Sequence, residues 1–351
     1  MARNFKPTVY WDSIASEHIP KMSFESCNES FEGWHKKALE KLKALMGELP
    51  EKVPLNAEIE FKQEDNGIIR ERVVIDTEKY MSMPMYVIYP KDIKPDKSTP
   101  AILCCHGHGL FGKDCVAGIR SDEAHIADIE SQNYNYGELM ARHGYITFCP
   151  DLRGFGERND RIDPFPGRDA CNINFIKGAL FDSYTLALNI FDMMRCIDYM
   201  QERAEVNADK IGIMGLSYGG TITTFTAALD ERIKAADIIC YVNSFEKFAI
   251  NRANFCGAQI LPGLYNYLDV SDIAGLIAPR PLLIEMGLYD DCFYIEDTKA
   301  GFEKVEKIYT AANAREKLFD DVCPVKHAFC NNKAYSFFDN CFNFNKKESI
   351  K

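Results

Sequence analysis

The chain has 351 residues, 46% of them hydrophobic, enough to bury a sizeable core. Its formal net charge of −11, with no dense Lys/Arg stripe, excludes a protein built to track a nucleic-acid backbone. No apolar run approaches the roughly 18 residues needed to span a bilayer, and the opening MARNFKPTVYWDSIASEH lacks the apolar core of a secretory signal. A soluble cytoplasmic protein is therefore expected, with no membrane or nucleic-acid partner.

The first clear element is SFEGWHKKALEKLKALMGELP, residues 30–50, where Phe31, Trp34, Ala38, Leu42 and Leu45 recur at helical spacing. Ser30 is its expected N-cap and Gly47 its stop. The pattern then changes. NAEIEFK, RERVVID and MPMYVIYP alternate or run apolar between turn residues and predict antiparallel strands. From residue 100 the rhythm becomes strand then helix. The strands are PAILCCH, GYITFCP, KIGIMG, IKAADIICYV, PLLIEM and EKLFDDV, with helices such as YGELMARHG and DSYTLALNIFDMMRCIDYMQER between them. Such alternation predicts an α/β fold, a mostly parallel sheet flanked by helices on both faces. Ligands in these sheets bind at the carboxyl ends of the strands. The reading divides the chain into an N-terminal helical extension, 1–55, and a larger unit, 56–351. Two stretches, 157–178 and 244–272, fit the rhythm poorly and are expected to be ordered lids over those strand ends.

KIGIMGLSYGGTITTFTAAL, residues 210–229, places Ser217 between Gly215 and Gly219 where a buried strand gives way to a helix. G-x-S-x-G in that setting is the signature of a nucleophile elbow, a sharp turn that lifts the serine oxygen above the sheet. A chance match is expected roughly 0.1 times in a chain this long. A serine hydroxyl is a weak nucleophile and needs a base. In this architecture the order is serine, acid, histidine, and His327 is the only histidine after Ser217. The acid is expected after PLLIEM, where GLYDDCF offers Asp290 and Asp291; Asp272 is a weaker third choice because it precedes that strand. A developing oxyanion needs two backbone donors. Tyr218 follows the nucleophile, and the loop His106-Gly107-His108-Gly109 after AILCC supplies the second, read as the His108 N–H. His106 is read as a structural hydrogen-bonder.

GHGLFG, residues 107–112, also matches G-x-G-x-x-G, the dinucleotide fingerprint. Its strand is not the first of the sheet, KDCVAGIRSDEAH is a poor helix start, and no acidic residue ends a second strand about 20 residues on. The lysine at 113 is followed by aspartate, so it makes no P-loop. The thirteen cysteines contain no C-x-x-C and sit mostly in apolar runs, as buried reduced thiols do. No cofactor and no metal are expected.

The chain resembles bacterial α/β-hydrolases of the dienelactone hydrolase-like and acetyl-xylan-esterase-like group. The likeness rests on FEGWHKKALEKLKALMG, HGHGLFGKD, DLRGFGER, GLSYGG, LDERIKAA, DIAGLIAPRPLLIEMGLYDD and HAF, and covers most of the chain. It implies an α/β-hydrolase fold with an eight-stranded type of sheet, a catalytic domain over 56–351, and hydrolysis of a small-molecule carboxylic ester. By motif it implies Ser217 as nucleophile, Asp290 as acid, His327 as base, and His108 and Tyr218 as oxyanion donors. The group is often oligomeric, so a homo-oligomer is part of the expectation. Two departures stand out. Lys326 replaces a frequent glycine before the histidine, and Ser217 stands where true dienelactone hydrolases carry cysteine. The resulting reading is a serine carboxylesterase acting on small acyl groups, acetyl on a sugar among them. A peptidase or amidase with the same triad, and a binding protein on the same fold, are the alternatives.

Overall fold

The computed structural model describes residues 3–159 and 170–344. Its sheet is assembled from nine strands among the described residues: β1 (Glu58–Asp65), β2 (Ile68–Glu78), β3 (Met81–Pro90), β4 (Thr99–Cys105), β5 (Ile146–Pro150), β6 (Val206–Leu216), β7 (Ile233–Ile239), β8 (Leu282–Gly287) and β9 (Leu318–Cys323). They lie in the order β1-β2-β3-β5-β4-β6-β7-β8-β9. The first three and the β3–β5 contact are antiparallel, and every pair from β5 to β9 is parallel. The sheet is thus one strand longer than an eight-stranded pattern. β1 is one of the two edge strands: it pairs only with β2, and seven of its eight residues are exposed. The central strands β4 and β5 are buried along their whole length, as apolar runs covered on both faces must be.

The helices are α1 (Pro7–Glu17), α2 (Phe31–Ala44), α3 (Lys113–Val116), α4 (Glu123–Gln132), α5 (Tyr136–His143), α6 (Ala170–Ala179), α7 (Thr185–Glu202), α8 (Tyr218–Leu229), α9 (Val270–Gly275), α10 (Ile295–Ala311) and α11 (Ala334–Phe342). Ser30 Oγ accepts from the Gly33 N–H at 3.3 Å and caps α2. Trp34, Ala38 and Leu42 bury the apolar stripe of that helix in the main core. Burying Leu42 alone contributes roughly 1.5–3 kcal/mol. Gly47 ends the segment at φ +73°, a backbone that glycine adopts without strain. No helix among the described residues is long and apolar enough to cross a membrane.

The two irregular stretches hold more helix than their sequences suggest. Residues 170–178 belong to α6, while 160–169 lie outside the described residues. The 244–272 stretch is a seven-residue π-helix, Phe245–Asn251, followed by two single 3-10 turns, Gly257–Gln259 and Leu264–Asn266, leading into α9. Asp272 joins this stretch to the N-terminal segment: its Oδ1 accepts from the Phe24 N–H at 2.9 Å.

Strand order reverses at β4, which leads to β5 on one side and neighbours β6 on the other. The crevice beyond the carboxyl ends of β4 and β6 is where open α/β sheets bind ligands. The loop beginning at His106 and the turn at Ser217 both open into it.

Candidate active site

Ser217 is a single residue between the end of β6 and the start of α8. Its backbone stands at φ +60°, ψ −116°, a conformation residues with a Cβ seldom adopt. Its N–H donates to Ile239 O at 2.9 Å, and its carbonyl accepts from the Thr221 N–H at 3.0 Å. The flanking glycines let strand and helix meet. A Cβ at Gly219 would lie 2.0 Å from Cys105 O, and one at Gly215 2.4 Å from Gly219 O. At Gly107 a Cβ would lie 2.7 Å from Leu216 O and 3.3 Å from the Ser217 Cβ, so the loop after β4 rests directly against the serine. The glycines of this junction are there for clearance, as the sequence pattern implies.

After β8 the chain turns so that Asp290 faces inward. Its Oδ1 accepts from the Cys292 and Phe293 N–H groups at 2.8 and 2.9 Å, and its Oδ2 lies 2.8 Å from His327 Nδ1. Burial favours the protonated acid, but the hydrogen bonds from His327, Phe293 and Cys292 outweigh it and hold the carboxyl below the usual aspartate value. With its proton on Nδ1, a neutral His327 presents Nε2 as an acceptor. Phe293 stacks on the imidazole at 5.6 Å and 12°. Asp291 is exposed. Asp272 accepts the Asp269 and Phe24 N–H groups, and burial lifts its carboxyl to about 7; it has no bond to His327. Of the three aspartates, Asp290 is the one in contact with the His327 ring.

Lys326 also finds its explanation. The histidine loop passes against Gly287, where a Cβ would lie 2.2 Å from Lys326 O. The close approach is taken up by a glycine on β8, and Lys326 is not among the residues with left-handed backbone.

Cys240 links the two halves. Just past β7, at φ +48°, it donates from its N–H to Glu285 O at 3.0 Å, and its Sγ lies 3.6 Å from Ala328 O beside His327. Ser217 is bonded to the preceding residue, Ile239, so serine and histidine sit on opposite flanks of the β7 end. Among the described residues, no hydrogen bond joins Ser217 Oγ to His327 Nε2; such bonds are often long before substrate binds.

Of the two N–H groups read as oxyanion donors, that of Tyr218 follows Ser217 directly and that of His108 belongs to the loop packed against it. Tyr218 is the first residue of α8, so its N–H has no intrahelical acceptor and lies at the positive end of the helix dipole. The Gly107 N–H is taken by Tyr134 Oη at 2.5 Å, whereas the His108 N–H has no acceptor among the described residues. The exposed His108 ring packs on Tyr218 at 4.9 Å and Phe155 at 5.4 Å, with Nε2 3.2 Å from Cys256 Sγ. Hydrogen bonds from Cys171 and, behind the opposing effect of burial, from His108 bring the Cys256 thiol down to about 5. His106 is structural: buried, held neutral by burial despite Asp151 nearby, it accepts from the Leu152 N–H at Nε2 and bonds Gly107 O through Nδ1.

Sequence reasoning missed what fixes these loops. In DLRGFGER, Asp151 accepts the Lys113 N–H and Nζ at 2.8 and 2.9 Å and the Glu157 N–H at 3.0 Å. Arg153 and Arg158 both close on the buried Asp192 at 2.8 Å. This polar network lies under the loop that carries His108. The acids and bases of one motif were the only sequence signal for it.

Residues 12–316 match the Abhydrolase family. YtaP of Bacillus subtilis (strain 168) is 30% identical over 282 residues, spanning 79% of this chain and 87% of YtaP. Among solved structures, a glucuronoyl esterase from Solibacter usitatus superposes with a TM-score of 0.64 at 15% identity, over 92% of this chain and 97% of its own. An acetyl xylan esterase from Paenibacillus sp. R4 superposes at 0.59 with 18% identity, over 97% and 100%. At those identities the likeness speaks for the fold. With Ser217 on a strand-to-helix turn at the topological switch of a mostly parallel sheet, the chain belongs to the Abhydrolase family of the α/β-hydrolase superfamily.

Proposed function

We propose that this protein is a serine esterase that cleaves small acyl groups, acetyl foremost, from carbohydrate esters. The observation that carries the reading is the 2.8 Å bond from His327 Nδ1 to the buried Asp290, at the same sheet end as the strained Ser217. His327 Nε2 takes the Ser217 proton as Oγ attacks the ester carbonyl. The oxyanion rests on the N–H groups of His108 and Tyr218. The alcohol leaves with the proton from His327, and water then cleaves the acyl-enzyme by the same route. Asp290 holds the imidazole tautomer and steadies the imidazolium. The carbohydrate part of the reading draws support from the acetyl xylan and glucuronoyl esterases that share the fold. Within the two irregular stretches, residues 170–178 and 244–272 act as lids.

Hydrolysis of a p-nitrophenyl ester series from acetyl to octanoyl, by wild type and Ser217→Ala, tests this. Wild type cleaves acetyl best, and Ser217→Ala loses at least about 10³-fold in turnover. Equal rates in the two proteins would sink the serine mechanism. Octanoyl preferred over acetyl would sink the small acyl pocket.

A further inference from the structure

Outside the serine, histidine and aspartate, the densest grouping of reactive side chains by the cleft is His108, Cys171 and Cys256. They come from three separate segments: the loop after β4, the first turn of α6, and the turn entering Gly257–Gln259. A ring nitrogen of His108 and the two Sγ atoms all lie within 4.8 Å of one another, and His108 Nε2 is 3.2 Å from Cys256 Sγ. Neither cysteine is in a disulfide.

We propose that His108, Cys171 and Cys256 bind one soft divalent metal ion of the zinc class, and that loading this site slows turnover. Zinc bonds of about 2.3 Å to sulfur and about 2.0–2.1 Å to nitrogen place tetrahedral ligand atoms roughly 3.5–3.8 Å apart. The three groups are within about 1 Å of that spacing already. Two thiolates and an imidazole are the donors that select zinc over magnesium or calcium. Three protein ligands leave a fourth position for water. Counted from the two neutral thiols, loading releases two protons to solvent and requires no oxidant.

The surroundings hold the ligands in place. Asn172 Oδ1 accepts from the Gly257 N–H at 2.8 Å, and a Cβ at Gly257 would lie 2.4 Å from the Phe175 Cβ, so α6 and the Cys256 turn are locked together. Gln259 Oε1 lies 3.8 Å from Cys256 Sγ and its Nε2 donates to Thr221 Oγ1 at 3.3 Å, tying the turn to α8. Another Cys-containing group, Asp321, Cys323 and Cys330, is a poorer site because the Asp321 carboxylate already accepts from Asn332 and the Lys333 N–H. The thiol spacing gave no sign of a metal site because the ligands are distant in sequence.

The coupling to turnover rests on the proposed function: the metal would pin His108, whose N–H serves the oxyanion, to α6 beside the nucleophile. Binding itself does not rest on it.

The test uses the full, reduced chain. Equilibrium dialysis against zinc measures uptake, and cobalt(II) in its place reports thiolate ligation through charge-transfer absorption. Wild type and Cys330→Ser take up one ion per chain with a thiolate–cobalt band. Cys171→Ser and Cys256→Ser bind at least about tenfold more weakly, keep metal-free ester turnover, and escape the zinc inhibition seen in wild type. No uptake by wild type, a cobalt spectrum without thiolate bands, or uptake unchanged in both variants would overturn the site. So would reduced protein that takes up no metal but readily forms a Cys171–Cys256 disulfide in air. Zinc uptake without inhibition would overturn the coupling alone, and an inactive but zinc-binding wild type would overturn only the esterase reading.

Discussion

The backbone of Ser217 stores strain that a substitution can release. At φ +60°, ψ −116° a residue with a Cβ costs about 1–3 kcal/mol relative to a relaxed conformation. Ser217→Gly removes the Cβ and with it that cost. Glycine returns about 0.5–1 kcal/mol through the greater freedom of the unfolded chain. Ser217→Ala is the proper reference, because it also lacks the hydroxyl but keeps the Cβ. The lost hydroxyl costs no helix cap in either variant, since Ser217 makes no side-chain cap bond to α8. Ser217→Gly is therefore expected to be more stable than Ser217→Ala by about 1 kcal/mol at the middle of those ranges and by up to about 2.5 kcal/mol. With an unfolding entropy of about 0.7 kcal/mol/K for a chain this long, the midpoint rises by about 1–4 °C. Denaturant titration and calorimetry of the two variants measure the difference. A glycine variant less stable than the alanine variant would refute the strained turn.

Asp290→Asn keeps the shape but loses the charge that fixes the His327 tautomer; turnover is expected to fall about 10³–10⁴-fold with KM within a few-fold, read by steady-state kinetics. Gly219→Ala would put a methyl 2.0 Å from Cys105 O, a backbone atom that cannot swing aside, so a loss of about 1–3 kcal/mol or more is expected in denaturant titration. The buried carboxyls of Asp237 and Glu285 interact on neighbouring strands. Burial, followed among the raising effects by the Asp321 charge, lifts Glu285 from about 4.5 to about 8, and burial with the Glu285 charge raises Asp237 as well. The native state then holds protons that the unfolded chain has released, so stability falls as pH rises from about 4.5 to about 8. Glu285→Gln, which can still accept from the Cys330 N–H, is expected to flatten that slope in unfolding titrations between pH 5 and 8; an unchanged slope would clear this pair of the effect.

The parallel core and the Ser217 turn were legible because both depend on local rules. Apolar runs between turn residues mark buried strands, and a turn with no room for a Cβ must recruit glycine. Asp290 was legible only to within a choice of neighbours: GLYDDCF cannot say which carboxylate turns inward, and that is settled by the N–H groups of Cys292 and Phe293 closing on one of them. The helix over 170–178 reads as irregular in sequence because Pro164, Pro166 and Gly167 precede it closely and dominate a short window. Asp237 and Glu285 were hidden in the apolar strands IKAADIICYV and PLLIEM, where period and hydrophobicity carry the signal and a single acid does not disturb it.

What remained invisible is what must be most accurate. The oxyanion donor proposed at His108 is useful only when its N–H is held at a fixed place, and its loop has no strand ladder to hold it. The structure replaces the ladder with side chains. Lys113 is 1% exposed and anchored on Asp151 and Glu157, while Tyr134 fixes Gly107. Removing the buried Lys113 would leave the buried Asp151 carboxylate without its cation, at a cost of about 3–5 kcal/mol. The network cannot be read by pattern because Lys113, Asp151 and Glu157 meet only after β4 and β5 have paired. The sheet is specified by local sequence, and the sheet in turn brings together the charges that specify the loop.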